Sequence, residues 1–440
     1  MTPHPQLERT ERKPRIFIPM IEVGGCHKSI ALSIRDSIER LQPGRFDIRV
    51  VDFMSACGAR MSDRSIKASW NAALAQPGIT NLLNKWMDDA SLLMRSNAIS
   101  QILYPAFVQK GMAYIRDEKP DLIVATHFFC TSVAVLARER YGLDCRIVSH
   151  VSDPFRAHAL WVNPLVDELV VCSEQARDYL AMLGQNPETM RIVPFPINGR
   201  FFEPAARSRE AILEDLGLDP RRITILASSG GEGIGSTDRY VRDLYFSDLP
   251  INLIAICGRN ERLLREMRLL HARPSGVRFA PLGFVTNMNE LTDVADAAVV
   301  KAGPSTLFEL LGKGCPVYVT HVAAQVEQGN LDFVVQNGLG WDVRDSDAWA
   351  EQLARLRDPA CLEPVRARIL RNEYIRSLPG ASMQLAQALL AGMTLPRSTR
   401  RQKLRRQLAH APVADRMRRQ ARKQRRRVSR KRSLEKGKRT

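Results

Sequence analysis

The chain has 440 residues, of which 45% are apolar and 25% charged, with 65 Lys+Arg against 47 Asp+Glu. This apolar fraction excludes a wholly disordered or fibrous chain, and the length predicts two domains. The longest apolar runs, such as Leu253 to Cys257, are far shorter than the roughly 20 residues of a membrane-spanning helix, so no such helix is expected.

The positive charge is concentrated at the C-terminus. Residues 397–440 hold 20 Lys/Arg and two acids, so the rest of the chain carries 45 of each sign. This tail is too poor in apolar residues to form a core, which predicts a disordered or helical extension outside the folded body. Such a charge favours an anionic membrane surface as partner; nucleic acid would be attracted in the same way, without sequence choice.

The eight cysteines show no C-x-x-C pair, and the polar N-terminus lacks the apolar segment of a signal peptide. Both features favour a reducing compartment. We therefore expect a cytoplasmic protein, peripheral on the cytoplasmic face of a membrane through its tail.

Strands and helices alternate along most of the chain, which predicts parallel, doubly wound sheets. The first strand, 15–21, is followed by a glycine loop and a helical pattern; the further strands predicted before the linker near 198–204 are 46–51, 122–126, 145–151, 168–172 and 191–197. A second series follows with strands 223–228, 251–257, 277–279, 297–300 and 317–320. The prediction is an α/β protein of two such domains facing across a cleft.

The predicted segments are a disordered 1–14, an acceptor domain 15–198, a donor domain 199–378, a closing helix 379–395 and the basic tail 396–440. A helical insertion at 65–116 interrupts the first domain. Its stripe of Leu82, Trp86 and Met87 fits a core better than a membrane-dipping surface, but both remain possible.

Three loops that follow predicted strands contain residues suited to ligand binding or catalysis. In the first, Glu22 to Ser29, glycines let a ligand approach the backbone, and His27 at the start of a helix is suited to accept a proton. An ordinary tight turn with a surface histidine fits it about equally well. The second, Ser228 to Gly235, is G-x-G-x-G and not a dinucleotide fingerprint, but it suits phosphate binding.

The third loop runs from Val299 to Glu309. Lys301 follows a predicted strand, and the turn Gly-Pro-Ser-Thr is typical of the start of a helix. The carboxylate of Glu309 on that helix could bind two neighbouring sugar hydroxyls. His127, at the end of another strand, is expected to line the cleft; a structural role is favoured over catalysis.

In this order and spacing, the motifs resemble those of glycosyltransferases of the B-fold. They are most similar to the monogalactosyldiacylglycerol synthase and processive diacylglycerol glucosyltransferase group, related to the peptidoglycan lipid N-acetylglucosaminyltransferase. The resemblance covers roughly residues 15–391 and is most specific from Lys301 to Glu309. It implies inverting transfer of a hexose from a UDP-sugar to a lipid such as diacylglycerol. No cofactor beyond this donor substrate is expected, and no metal, since no suitable D-x-D is present.

The resemblance also implies roles for individual residues. On the acceptor side, Gly24, Gly25, Cys26 and His27 match the family's G-G-G-H loop, and Ser152, Asp153, His158 and Trp161 match its T/S-D-x-x-x-x-H-x-x-W pattern. His27 is the implied base, and Asp153 either orients it or binds acceptor. The predicted donor site consists of Gly230, Gly231, Glu232, Gly233, Gly235, Arg259, Phe284, Val285, Lys301, Gly303, Ser305, Thr306, Glu309, Glu327 and Asn330.

Within that donor set, the resemblance implies that Glu309 binds the ribose and that the loop of Phe284 lies beside the uracil. Glu327 and Asn330 mark the region that reads the sugar. Three residues depart from the family pattern: Cys26 for a glycine, Val326 for a glutamine and Ser305 for a glycine. The first two departures leave the transferred sugar open. Two other functions remain as alternatives: a nucleic-acid-associated or regulatory protein built on this fold, and a nucleotide-sugar 2-epimerase.

Overall fold

The computed structural model of the chain describes residues 12–75, 96–231, 233, 237–406 and 408–410. These ranges contain two six-stranded sheets in which all paired strands are parallel. The first sheet consists of β1 (Arg15–Met20), β2 (Asp47–Asp52), β3 (Leu122–Ala125), β4 (Arg146–His150), β5 (Glu168–Val171) and β6 (Met190–Ile192). The second consists of β7 (Thr224–Ser228), β8 (Asn252–Ile256), β9 (Arg278–Leu282), β10 (Ala297–Val300), β11 (Val317–Val319) and β12 (Gly340–Asp342).

Helices cover both sheets, as right-handed crossovers between parallel strands require. Those of the first domain are Cys26–Leu41, Phe53–Ala56, Arg60–Ala75, Ser96–Leu103, Pro105–Glu118, Phe128–Tyr141 and Glu174–Leu183. Those that follow are Arg209–Asp215, Thr237–Tyr245, Glu261–His271, Met288–Asp293, Pro304–Gly312, Gln328–Gln336, Ser346–Arg355, Glu363–Arg371 and Glu373–Met393. The strand–helix alternation predicted from the sequence is therefore present in both domains.

The strand order places the predicted motif loops at one point of each sheet. The first sheet runs β2-β1-β3-β4-β5-β6, so the connections after β1 and β3 leave in opposite directions. The second runs β12-β11-β10-β7-β8-β9, and its order reverses between β10 and β7. Ligands of open α/β sheets bind in the crevice at such a switch point, outside the carboxyl ends of the strands. Both crevices face the cleft.

The two domains share a hydrophobic core. One cluster of buried side chains extends from Ile30 and Ile34 of the first domain to Leu307 and Leu310 of the second. The helix Glu373–Met393 packs along the helix Cys26–Leu41 and so returns the chain to the first domain. It begins at Glu373, six residues before the predicted start of a closing helix, and ends close to the predicted position.

The insertion predicted at 65–116 is helical where the structure describes it, in Arg60–Ala75, Ser96–Leu103 and Pro105–Glu118. The stripe of Leu82, Trp86 and Met87 lies outside the described residues. Within the described part of the chain, no helix has both the length and the apolar character to cross a bilayer.

The basic tail differs from the expectation of an extension outside the folded body. Residues 400–406 and 408–410 are helical, and Leu404 packs against the core of the first domain. Lys403 is only 7% exposed, and its Nζ donates to Asp167 Oδ1 at 2.6 Å. A lysine can be buried this far because its charge is paired. The beginning of the tail is therefore part of the folded body, and residues 411–440 lie outside the described residues.

Candidate active site

The acceptor loop places His27 in the first turn of a helix at the cleft. Gly24 has a φ of +66°, which favours glycine, and Gly25 precedes the helix Cys26–Leu41 without a side-chain cap. The Nδ1 of His27 lies 2.5 Å from the carbonyl oxygen of Thr126. Because a carbonyl can only accept, Nδ1 carries the proton and the lone pair is on Nε2. Burial lowers the pKa of His27 to about 4, so the ring is neutral near pH 7.

Two further histidines surround this ring. The centroid of His127 lies 4.7 Å from that of His27, and its Nδ1 accepts from the backbone N–H of Phe129 at 3.2 Å. His127 thus caps the helix Phe128–Tyr141, the structural role favoured from the sequence. His150, at the end of β4, is fully buried, and burial lowers its pKa to about 3. The ring of His27 therefore lies in an environment that disfavours positive charge.

The segment from Asp153 to Trp161 folds onto itself beside the acceptor loop. Asp153 Oδ2 accepts from the indole N–H of Trp161 at 2.8 Å and from the backbone N–H of His158 at 3.3 Å. Phe128 stacks on His158 with centroids 5.5 Å apart. Trp161 is only 1% exposed, so it supports the wall of the cleft from behind. Asp153 was a predicted partner of His27, but the Nδ1 of His27 is bonded instead to the backbone carbonyl of Thr126.

The glycine loop after β7 packs tightly against the loop after β8. Gly230 and Gly233 have φ of +77° and +63°, and a Cβ on Gly233 would lie 2.0 Å from the carbonyl oxygen of Cys257. Asn260 Nδ2 donates to the carbonyl oxygen of Gly233 at 2.9 Å. The backbone N–H of Arg259 donates to the carbonyl oxygen of Gly231, also at 2.9 Å. Only glycine allows this close approach. Glu232 and Gly235 of the predicted donor set lie outside the described residues.

The loop after β10 brings a cation and a helix N-terminus to the same crevice. Lys301 Nζ lies 3.9 Å from Glu327 Oε1, and a Cβ on Gly230 would lie 3.5 Å from Lys301 Cε, so the lysine adjoins the glycine loop. The helix Pro304–Gly312 begins at Gly303 with no side-chain cap, and Ser305 and Thr306 lie in its first turn. Unpaired amides at a helix N-terminus, together with a lysine, form a suitable site for a diphosphate.

Glu309 lies one turn further along that helix and is half-buried. It forms no hydrogen bond or ion pair with any residue in the described ranges. Burial without a partner raises its pKa to about 7. A carboxylate in this state can be stabilised by hydroxyl donors of a ligand, which fits the ribose-binding role implied by the resemblance.

The residues predicted to read the sugar are held firmly by the backbone around them. Glu327 Oε2 accepts from the backbone N–H of Ala323 at 2.8 Å, and Asn330 Nδ2 donates to the carbonyl of Ala302 at 2.8 Å. Asn330 is 1% exposed, so in this arrangement it fixes the turn before the helix Pro304–Gly312.

The two halves of the site meet across the cleft. The Cys26 thiol lies beside Ser305, and its surroundings raise its pKa mainly through burial. At the rim, the Arg259 guanidinium lies 4.4 Å from the centre of the Phe284 ring, which is 53% exposed, while Val285 packs on the core. Most predicted residues are thus brought to one cleft.

Sequence reasoning missed three contributors: Thr126, which fixes the tautomer of His27; His150, which lies buried near it; and Asn260, which supports the glycine loop. Each lies at or just after the carboxyl end of a strand. Because those ends converge at one edge of a sheet, their position was the available signal.

Comparisons with known proteins agree with this geometry. Residues 30–197 match the family model of monogalactosyldiacylglycerol (MGDG) synthase. A probable chloroplastic monogalactosyldiacylglycerol synthase of Nicotiana tabacum is 25% identical over 342 residues, covering 75% of this chain and 62% of the relative. The processive diacylglycerol beta-glucosyltransferase of Staphylococcus aureus (strain JH9) is 24% identical over 278 residues, covering 60% of this chain and 69% of that protein.

Among solved structures, MurG of Acinetobacter baumannii superposes with a TM-score of 0.54 at 12% identity, covering 86% of this chain and 99% of that one. This likeness confirms the predicted B-fold. The chain spans 62% of the length of the tobacco relative. With residues 30–197 matching that family model, the predicted resemblance to the monogalactosyldiacylglycerol synthase and processive diacylglycerol glucosyltransferase group is confirmed.

Proposed function

We propose that the chain is an inverting glycosyltransferase that moves a hexose from a UDP-sugar to a lipid hydroxyl, such as that of diacylglycerol. The named relatives support a lipid acceptor. The donor is inferred from the cleft, where a glycine loop, Lys301 and a helix N-terminus are suited to a diphosphate and Glu309 to a ribose. We infer no cofactor beyond the donor.

On the acceptor side, His27 acts as the general base. Its Nε2 takes the proton of the lipid hydroxyl, while the hydroxyl oxygen forms a bond to the anomeric carbon of the sugar. Thr126 keeps Nδ1 protonated, so only Nε2 can accept. Attack from the first domain, opposite the donor diphosphate in the second, inverts the anomeric configuration.

On the donor side, the bond between the anomeric carbon and the diphosphate oxygen breaks, and UDP leaves with the bonding electrons. Lys301 and the amides of Ser305 and Thr306 stabilise the negative charge that develops on that oxygen. Glu309 accepts hydrogen bonds from the two ribose hydroxyls and positions the nucleotide.

The observation that carries this proposal is the neutral His27, fixed in one tautomer by Thr126 and next in sequence to Cys26, whose thiol lies beside Ser305 and near Lys301 and Glu327 of the second domain. The test is incubation with labelled UDP-sugars and dispersed diacylglycerol, followed by analysis of lipid and nucleotide products. A labelled glycolipid plus UDP supports transfer. A new UDP-sugar epimer without glycolipid would instead establish a 2-epimerase, and absence of both reactions would favour a regulatory role.

A further inference from the structure

The docked part of the basic tail has a defined place on the first domain. Lys403 Nζ bonds Asp167 and, at 3.2 Å, the carbonyl oxygen of Leu165, while Arg400 Nε lies 2.8 Å from Glu139 Oε2. Arg397 pairs with Asp144. These contacts hold the tail against the helix Phe128–Tyr141 and the strand ends beside it.

The helices next to the docked tail leave apolar surface exposed. Ile102 is 64% exposed and Leu103 is 37% exposed at the end of the helix Ser96–Leu103. Two shallow hollows of about 330 and 410 Å³ lie beside them, both lined by Gln101. We call this surface the lateral face: the helices Ser96–Leu103, Pro105–Glu118 and Phe128–Tyr141 with tail residues 397–406.

Arginines surround this apolar surface. Arg400 lines the first hollow and Arg140 the second. On the docked tail, Arg401, Arg405 and Arg406 are exposed, while Lys403 and Leu404 point to the core. A surface with exposed aliphatic side chains and a rim of outward bases complements the interface of an anionic bilayer.

The lateral face also adjoins the acceptor side of the cleft. The ring centroid of Tyr104, which follows Leu103, lies 5.0 Å from that of Phe129, and Phe129 stacks on His127 at 5.4 Å. Packed aromatic rings therefore connect the lateral face to the side of the cleft that holds His27.

We propose that the lateral face is the surface by which this chain lies on an anionic membrane, with the docked tail fixing that orientation. The choice of membrane over nucleic acid rests on Ile102 and Leu103, because exposed aliphatic side chains gain nothing against a phosphate backbone but are buried in a bilayer interface. The inference deepens the proposed function by placing its lipid source.

The first test uses flotation with vesicles containing phosphatidylglycerol. The double variant Arg401→Gln/Arg405→Gln is compared with Arg221→Gln/Arg262→Gln, which removes two exposed bases from the second domain. At low salt we expect about twenty-five-fold weaker binding for the tail pair, from roughly fivefold for each base near the surface, and less than about twofold for the control. Equal losses in both pairs would overturn the proposal.

The second test removes apolar surface. Ile102→Ser/Leu103→Ser should weaken vesicle binding several-fold at both low and high salt, since apolar burial is not screened. Its control is Leu269→Ser/Leu370→Ser, which changes two exposed leucines of the second domain. Unchanged binding by the first pair, or a loss confined to a double-stranded oligonucleotide, would contradict a membrane face. Thermal unfolding of each variant confirms that it is folded.

A separate readout distinguishes this proposal from the enzymatic one. The face variants should transfer sugar to detergent-dispersed diacylglycerol at the rate of the unchanged chain and lose transfer only with vesicles. Face-dependent vesicle binding without transfer by any form would retain the membrane face and refute the transferase.

Discussion

His27 and Glu309 lie on opposite walls of the cleft and differ in their hydrogen-bond partners. Each is in the first turns of a helix that follows a sheet switch point, and each is moved toward its neutral form by burial. His27 has a backbone partner that fixes its proton, whereas Glu309 has none in the described ranges. The wall formed by the first domain thus holds a neutral histidine with its proton fixed, while the opposite wall holds a carboxylate without a partner in the described ranges.

The largest expected effect is at His27, the proposed base. His27→Ala should lower kcat by roughly a hundredfold to ten-thousandfold, the usual contribution of a general base. Calorimetric binding of UDP should stay unchanged, because the proposed donor site lies on the second domain and His27 on the first. Exposed His271→Ala is the matched control. Full turnover by His27→Ala would remove it from the proposed role.

Glu309, the proposed ribose-binding carboxylate, should affect binding more than turnover. Glu309→Gln should raise the UDP dissociation constant roughly tenfold to hundredfold, because hydrogen bonds to a charged acceptor are lost. Since the pKa of Glu309 is about 7, UDP affinity of the unchanged chain should fall as pH drops below 7, and the variant should lose that dependence. Glu290→Gln, also on the second domain, serves as control; a pH-independent affinity in the unchanged chain would contradict this role.

The glycine loop tests whether the donor wall is preformed. Gly233→Ala places a Cβ 2.0 Å from the Cys257 carbonyl at a φ of +63°, which should cost about 1–3 kcal/mol of stability or displace the loop. Donor affinity should fall while His27 is unaffected. Gly276→Ala, where no atom lies within 4 Å of the added Cβ, should leave both denaturation midpoint and UDP binding unchanged. Similar results for the two variants would contradict a tightly packed loop.

The contact between the walls predicts a smaller change. Gly329 packs against the first domain, with an added Cβ 3.1 Å from the Cβ atoms of Phe155 and Arg156. Gly329→Ala should push the domains apart by a few tenths of an ångström and lower kcat a few-fold. Gly380→Ala, in an open helical position, should instead stabilise the chain slightly. Steady-state kinetics and thermal unfolding of both variants check this.

The last prediction concerns the dependence of stability on pH. The pKa values of His27, His150 and His321 are about 4, 3 and 4 in the folded chain, below the ordinary 6.5, because burial disfavours the charged ring. The unfolded chain takes up these protons first, so stability should fall as pH drops from about 6.5 toward 4. Glu309, whose pKa is raised, should increase stability as pH drops from 7 to 4.5, but it is one group against three histidines. Urea denaturation midpoints measured across this pH range test the prediction. His150→Phe should make the midpoint depend less steeply on pH.

The sequence determined the two-sheet fold and the position of each motif loop. Alternating strand and helix patterns encode local structure, and the carboxyl ends of parallel strands converge whatever the details of packing. His27, Lys301 and Glu309 could therefore be assigned to one cleft before any coordinates were known.

Tertiary structure decided the partners of those residues. Thr126 fixes His27 from 99 positions away, and Lys403 reaches Asp167 across 236, which brings the start of the tail into the folded body. From the sequence, the role of Asp153 was open between orienting His27 and binding the acceptor. In the fold, Asp153 accepts a hydrogen bond from the indole N–H of Trp161. Such contacts depend on how helices pack over the sheets, and hydrophobic periodicity gives the buried side of a helix but not the residue that it meets.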